Sequence, residues 1–243
     1  DPPYRAGAID VYAHWLKRTP LRPAPLLGPG KPGNSFAVES FMDELAHAAG
    51  VDPLAFRLRA LDDPRGRAVL ERLAAMITGA RQGGDGDAAR GRGVAYVHYK
   101  NNETYVAMGV ELVVRRASAE IEVERVWCAH DCGQIVNPDG VRAQVEGCIL
   151  QTLSRSLLEE VTFDRAHVTS VGWASYPILR FPQVPRVEIA LIDRPDEPLG
   201  AGEAACSCVP GAVGNAVFDA LGLRLRAIPM TPARLRAAMA GAG

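Results

Sequence analysis

One acidic residue, Glu203, stands among small residues in the stretch "EPLGAGEAACSCVPGA", residues 197–212 of the 243-residue chain. Gly200 and Gly202 permit positive φ and close approach of a ligand to main-chain N–H groups. The sequence predicts a helix directly after the loop, and the amides at a helix N-terminus favour anionic groups. A carboxylate that a bound group desolvates there has a raised pKa, which a general base requires. The alternative is a turn with an exposed glutamate.

A second candidate site lies in "HDCGQIVNPDGVRAQVEG", residues 130–147, where a strand ends, Asn-Pro makes a turn and a helix begins. Gln144 and Gly147 are three residues apart on one face of that helix. A glutamine both donates and accepts hydrogen bonds, which suits a phosphate or the edge of a pterin-like ring. The glycine permits close approach. The alternative is a capped helix with a surface Gln-Glu pair.

Other patterns in the sequence give little support for chemistry. The five cysteines have neither the paired spacing of a structural zinc site nor that of an iron–sulfur cluster, so they are predicted to be small buried residues. The five histidines show no metal-ligand spacing, and no Gly-x-Ser-x-Gly elbow or P-loop occurs. We therefore predict no metal ligands in the chain. A metal-free hydrolase with Glu203 as its base is a weaker alternative.

The composition is typical of a globular protein, with 48% hydrophobic and 23% charged residues and a formal net charge of -1. This balance gives no electrostatic reason to expect nucleic acid or an anionic membrane as a partner. The longest apolar runs are shorter than the ~20 residues of a membrane span, so no span is expected.

The elements that must position these residues follow from hydrophobic periodicity. After an irregular Pro- and Gly-rich start, helices are predicted at 35–50, 52–61, 63–77, 137–160, 208–222 and 231–241, and strands at 103–116, 119–133 and 186–193. This grouping favours an α+β fold with a mixed or antiparallel sheet packed against helices. We expect a loop and helical segment at 1–80, a flexible connection at 81–93 and an α+β domain at 94–243.

Four ordered segments carry a family resemblance: "NSFAVESFMDELAHAAGVDPLAFRLRAL", "DCGQIVNPDGVRAQVEG", "SYPILRFPQVPRVEIALID" and "GAGEA" with the helix after it. Together they resemble the C-terminal third of the molybdenum-binding large subunit of the xanthine dehydrogenase and aldehyde oxidase family. The most similar branch is that of the isoquinoline 1-oxidoreductase-like and bacterial aldehyde dehydrogenase beta subunits. The resemblance implies the C-terminal portion of a molybdenum-cofactor-binding domain.

The resemblance also implies a hydroxylase that oxidises an aldehyde or an N-heteroaromatic substrate with oxygen from water. Glu203 matches the family's base at the molybdenum centre. Gln144 matches a cofactor-contacting glutamine, and Gly200, Ala201 and Gly202 match the backbone stretch beneath the metal. With Gly147, which permits close approach, they are the predicted cofactor-binding residues. A non-catalytic structural or assembly subunit of such a complex is the alternative.

The implied cofactor is molybdenum in molybdopterin cytosine dinucleotide, shared with a partner chain, because the matched part is only the end of the family's large subunit. The implied partners are the remaining part of that subunit, an iron–sulfur small subunit with [2Fe-2S] clusters, a cytochrome or flavin subunit, and a small-molecule substrate. A bacterial cytoplasmic and a periplasmic location are not distinguished. Three positions depart from the family pattern: Ala204 replaces a usual proline, Thr152 a glycine and Leu27 an arginine.

Overall fold

A computed structural model describes residues 2–14, 16–77, 79 and 84–241. The helices are α1 (Lys31–Ala48), α2 (Pro53–Arg59), α3 (Pro64–Met76), α4 (Pro138–Leu157), α5 (Val209–Leu221) and α6 (Pro232–Gly241). The strands are β1 (Ala88–His98), β2 (Tyr105–Arg115), β3 (Glu120–Asp131) and β4 (Arg186–Leu191). Short 3-10 helices lie at Tyr99–Asn101, Phe181–Gln183 and Ala204–Ser207.

The four strands form one mixed sheet in the order β1-β2-β3-β4. The predicted hairpin of β2 and β3 is confirmed, since these strands pair antiparallel, as do β1 and β2. β4 pairs parallel to β3, and a parallel pair needs a long crossover, which here contains α4. The predicted α+β class with a mixed sheet is therefore confirmed.

β1 is the strand that the sequence pattern missed. Residues 81–93 were expected to be a flexible connection, which is wrong for 88–93, because β1 begins at Ala88. Residues 81–83 lie outside the described residues. A Cβ on Gly91 would lie 2.0 Å from the carbonyl oxygen of Ala216, and one on Gly93 2.2 Å from that of Ala212. These glycines therefore let α5 pack closely on β1. The division of the chain at 81–93 stays a prediction.

Helices cover both faces of the sheet. Met108 and Cys128 belong to a buried cluster on the side of α4 and α5, whereas their neighbours Ala107 and Trp127 belong to a cluster on the side of α3. This alternation is the period of two expected for strands buried on both faces. The apolar stripe predicted on α4 contributes to the first cluster through Val145, Ile149, Leu153 and Leu157, with Val141 partly buried.

Helix boundaries agree with the sequence signals except at the start of α1. Asp52 caps α2 as predicted, because its carboxylate accepts hydrogen bonds from two amides of the first turn, and Pro53 is the first helical residue. α1 begins at Lys31 instead of Ser35, with Gly30 as its N-cap in the left-handed region. The proline at position 32 fits because the first helical turn has free N–H groups in any case.

One segment, 204–221, is long and apolar enough to cross a membrane by composition, with a mean hydropathy of 1.3. The expectation that apolar stretches are too short for a span did not anticipate this. However, 78% of the segment is buried inside the fold. Its apolar character is that of a core helix, since α5 packs against α1 and the sheet.

Candidate functional site

The loop at 199–203 is fixed by its own backbone. Its carbonyl and amide groups form hydrogen bonds with residues from four parts of the fold: the end of β3, the turn before β2, α4 and the 3-10 turn at Ala204–Ser207. These bonds are Leu199 N to Cys132 O (2.8 Å), Thr104 Oγ1 to Gly200 O (2.7 Å), Cys148 Sγ to Gly202 O (3.2 Å) and Cys206 Sγ to Glu203 O (2.8 Å).

Three of the five cysteines therefore take part in positioning the loop, Cys132 through its carbonyl and Cys148 and Cys206 through their thiols. All five are free and buried, so the prediction of small buried residues is confirmed. Burial raises the pKa of the Cys206 thiol to about 12 and also raises the pKa of Cys148. Both thiols are neutral at pH 7 and can serve as weak hydrogen-bond donors to the carbonyls of Gly202 and Glu203.

The Glu203 carboxylate is held by donors from two distant segments. Oε1 accepts a hydrogen bond of 2.7 Å from the Tyr99 hydroxyl, and Oε2 accepts one of 3.1 Å from the Gly28 amide. The Lys100 ammonium lies 3.9 Å from Oε1. The side chain remains 31% exposed. The hydrogen bond from Tyr99, the one from Gly28 and the charge of Lys100 together lower the pKa of Glu203.

In the chain alone the pKa of Glu203 is lowered, since hydrogen bonding to the charged form outweighs desolvation; the expected rise concerns the state with a bound group and stays a prediction. Two expectations about this loop need correction. Neither Gly200 nor Gly202 adopts positive φ. The helix does not follow directly: a 3-10 turn occupies Ala204–Ser207, and α5 begins at Val209 with its first residues buried. The first turn of α5 is therefore separated from Glu203 by the 3-10 turn.

The structure brings Gln144 to this loop. A Cβ placed on Gly202 would lie 3.6 Å from Oε1 of Gln144. One turn further along α4, a Cβ on Gly147 would meet no atom within 4 Å. Gln144, Gly147, Gly200 and Gly202 are exposed, and Ala201 is half-buried. We call these five residues the open surface; it leaves room for a bulky group beside the carboxylate.

Gly28, Tyr99 and Lys100 are site residues that sequence reasoning missed. Tyr99 and Lys100 lie in "YKNNE", the turn between β1 and β2, and β1 itself was not predicted. The signal available was a tyrosine and a lysine in a turn with two asparagines. Gly28 lies in the Pro- and Gly-rich loop, where the sequence offered Leu27 only as a departure from the family pattern.

The described residues hold no group of three or more His, Cys, Asp or Glu side chains that could bind a metal ion. The open surface, in which Gln144 is the one long side chain, and the Glu203 carboxylate beside it fit a large organic cofactor.

Comparison with known proteins identifies the family of the chain. Residues 40–185 match the family described as "Molybdopterin cofactor-binding domain". The chain belongs to this family. The matched range contains Gln144 and Gly147, and Glu203 follows it in the sequence.

Two curated relatives are similar over almost the whole chain. A nicotinate dehydrogenase subunit of Pseudomonas putida is 41% identical over 100% of this chain and 21% of the relative. The isoquinoline 1-oxidoreductase beta subunit of Brevundimonas diminuta is 34% identical over 96% of this chain and 31% of the relative. The chain thus spans less than a third of the length of these relatives. The sequence-based assignment to the xanthine dehydrogenase and aldehyde oxidase family is confirmed.

Solved structures show the same fold at low identity. Quinoline 2-oxidoreductase from Pseudomonas putida 86 superposes with a TM-score of 0.79 at 14% identity, over 88% of this chain and 52% of that chain. The aldehyde oxidoreductase from Desulfovibrio gigas gives a TM-score of 0.76 at 14% identity, over 88% of this chain and 41% of that chain.

Proposed function

We propose that the chain is part of a molybdenum hydroxylase that oxidises an N-heteroaromatic substrate with oxygen from water, and that Glu203 is its base. The observation that carries the proposal is the Glu203 carboxylate, which is fixed by two hydrogen bonds at the edge of the open surface. The names of the relatives support this substrate class, since nicotinate and isoquinoline are both N-heteroaromatic compounds. An aldehyde is the second candidate substrate, because a membrane-bound aldehyde dehydrogenase of Gluconacetobacter polyoxogenes is 29% identical over 95% of this chain.

The open surface would hold the cofactor, in the proposal molybdopterin cytosine dinucleotide. The amide of Gln144 would donate to and accept from polar edges of the cofactor. Gly147 would allow its atoms to approach the main chain, since a Cβ there meets no atom within 4 Å. Gly200 and Gly202 have no side chain of their own, and only the ends of the Glu103 and Gln144 side chains lie near, at 3.4 and 3.6 Å from the position of a Cβ. When bound, the cofactor supplies the two-electron redox centre and the activation of water.

Glu203 would accept the proton released when the oxygen from water is transferred to the substrate. With a lowered pKa the carboxylate is deprotonated at neutral pH, which a base requires, but it is a weak proton acceptor. Covering the exposed third of its side chain by cofactor and partner removes water and raises its pKa toward the working pH. The Tyr99 and Gly28 donors keep its orientation during this change.

The rest of the enzyme would come from other polypeptide segments. The chain spans 21% and 31% of its two curated relatives, and several large apolar side chains are exposed, Trp173 and Phe181 among them. Exposed apolar patches often mark interfaces. The proposal therefore includes the remaining part of the molybdenum-binding subunit, which would cover these residues. An iron–sulfur small subunit with [2Fe-2S] clusters would remove the electrons, passing them to a cytochrome or flavin subunit.

The test is Glu203→Gln in the assembled complex, compared with Glu197→Gln, an exposed glutamate six residues earlier in the same loop. We expect Glu203→Gln to keep its molybdenum content and to lose roughly 10²- to 10⁴-fold in kcat, the usual contribution of a general base. Glu197→Gln should keep its turnover. Full activity of Glu203→Gln would contradict the assigned role. A complex that assembles without molybdenum or pterin would favour the non-catalytic assembly subunit instead.

A further inference from the structure

The turn between β1 and β2 has a strained backbone directly beside Glu203. Lys100 has φ 50° and Asn101 has φ 63°, so two consecutive residues lie in the left-handed region. This region costs an ordinary L-residue roughly 1–2 kcal/mol, whereas asparagine tolerates it better. If the turn served only to reverse the chain, glycine at position 100 would avoid the strain. Strain of this kind is concentrated at functional sites, so the lysine side chain needs an explanation.

The contacts of Lys100 supply that explanation. Its ammonium lies 3.0 Å from Glu103 Oε1 and 3.9 Å from Glu203 Oε1, so that one cation is shared by two carboxylates. It also lies 5.1 Å from the centroid of the Tyr99 ring. The same turn therefore presents a hydroxyl donor and a cation to a single carboxylate. The strained conformation is what allows adjacent residues to reach it together.

Tyr99 is anchored on the other side by the turn itself. Its amide donates to Thr104 O at 2.9 Å, and its carbonyl accepts from the amide of Glu103 at 2.9 Å. Tyr99 is buried, with a residue exposure of 1%. The phenol thus has little freedom to move away from Glu203. The desolvation of the phenol and its bond to Glu203 raise the pKa of Tyr99, so the hydroxyl stays protonated and donates.

The geometry points to Tyr99 and Lys100 as positioning residues for the base: the Tyr99 hydroxyl fixes the orientation of the Glu203 carboxylate, and the Lys100 ammonium favours its charged form. This inference rests on the proposed function of Glu203. The other groups that face the carboxylate are the Gly28 amide from the segment before α1, Cys148 from α4 and Cys206 from the 3-10 turn. Since both thiols are neutral, Lys100 is the charge nearest to Glu203 among the groups described there.

The first measurement is the pH dependence of kcat/KM in the assembled complex. Tyr99→Phe removes only the hydroxyl; we expect the acidic limb to move to higher pH and kcat to fall by roughly 10- to 100-fold, since small misplacement of a catalytic group is costly. Lys100→Gln should move the limb in the same direction, and Lys100→Arg should restore it. Tyr176→Phe is the matched control, because it removes the hydroxyl of another Tyr–Glu pair, with a bond of 2.9 Å to Glu159. Its pH dependence should equal that of the unmodified complex.

The second measurement does not need turnover. Infrared spectra of the complex minus those of the Glu203→Gln complex isolate the carboxylate band of Glu203, which is then titrated. In Tyr99→Phe and Lys100→Gln we expect the midpoint to lie at higher pH than in the unmodified complex. An unchanged midpoint in both variants would overturn the inference. Full turnover of Glu203→Gln together with a shifted midpoint would instead refute the proposed function and leave the contacts of Tyr99 and Lys100 in place.

Discussion

The Gly28 amide donates a hydrogen bond of 3.1 Å to Oε2 of Glu203 across 175 positions of sequence. Gly28 has φ 75°, and a Cβ at this position would lie 2.3 Å from Cys206 Sγ. Cys206 in turn donates to the carbonyl of Glu203. Glycine at 28 thus allows one backbone amide to reach the carboxylate and leaves space for the thiol that supports it.

Gly28→Ala should disturb both contacts. The clash with Cys206 and the unfavourable φ should lower the free energy of unfolding by roughly 1–3 kcal/mol and shift Glu203 away from its position. We expect turnover to fall by a larger factor than the fraction of folded protein. Turnover is measured as kcat per molybdenum, and the folded fraction by thermal unfolding. Gly33→Ala is the matched control, since a Cβ there meets no atom within 4 Å and alanine favours a helix. Equal kcat in the two variants would contradict the role of Gly28.

A buried ion pair joins α1 and α2 to the sheet. Arg57 Nε donates to Glu39 Oε2 at 2.8 Å, and both side chains are almost fully buried. Glu39 also accepts hydrogen bonds from the Tyr4 hydroxyl at 2.7 Å and the Tyr96 amide at 2.9 Å. Removing only the arginine leaves an uncompensated buried carboxylate, which costs about 3–5 kcal/mol.

Arg57→Met should therefore lower the free energy of unfolding by about that amount in a urea titration. Arg59→Met, which changes an exposed arginine of the same helix, should have an effect within about 0.5 kcal/mol. Similar midpoints for the two variants would show that Glu39 is satisfied by its other donors.

The sequence predicted most elements because their signals are local. The alternation of β2 and β3, the stripe on α4 and the cap at Asp52 each act within a few residues, and the structure has all of them. β1 was missed because Gly91 and Gly93 serve the packing of α5, more than a hundred residues away, and in the sequence they resemble loop glycines. Long-range packing of this kind leaves no local pattern.

The candidate site likewise contains residues with a local sequence signal and residues without one. Glu203 and Gln144 were predicted from their own neighbours in the sequence, and the structure places Gln144 beside Gly202. Tyr99 and Gly28 reach Glu203 only through the fold. The lowered pKa of Glu203 in the chain alone depends on these donors, which no local pattern could supply.

His130 makes the stability of the protein depend on pH. It is fully buried on β3, and neither ring nitrogen has a hydrogen-bond partner among the described residues. Burial lowers its pKa to about 4, from about 6.5 in the unfolded chain. Because the fold holds His130 in its neutral form, protonation of this residue favours the unfolded chain. The free energy of unfolding is therefore not reduced by His130 above pH 6.5 and falls as the pH is lowered from 6.5 toward 4. The loss amounts to roughly 3 kcal/mol at most.

His130→Leu, which is close in volume and has no charge to gain, should reduce the decline in unfolding free energy between pH 6.5 and 4. His167→Gln is the control, since His167 is an exposed histidine. It should retain the pH dependence of the unmodified protein. Thermal unfolding at several pH values measures both. A decline in His130→Leu as steep as in the control would show that other groups cause it.

Phe181 tests where the partner segment binds. The residue is 96% exposed at the start of a 3-10 helix, and Val171 and Trp173 in the segment before it are also largely exposed. The remaining part of the molybdenum-binding subunit should cover such side chains, because burying a phenylalanine side chain contributes about 1.5–3 kcal/mol. Phe181→Asp should therefore weaken assembly by 10-fold or more, measured by co-purification and analytical ultracentrifugation of the complex.

Ala233→Asp places the same charge on an exposed residue in the first turn of α6, where acidic side chains are favourable, and should assemble normally. Equal assembly of the two variants would place the interface elsewhere on the chain.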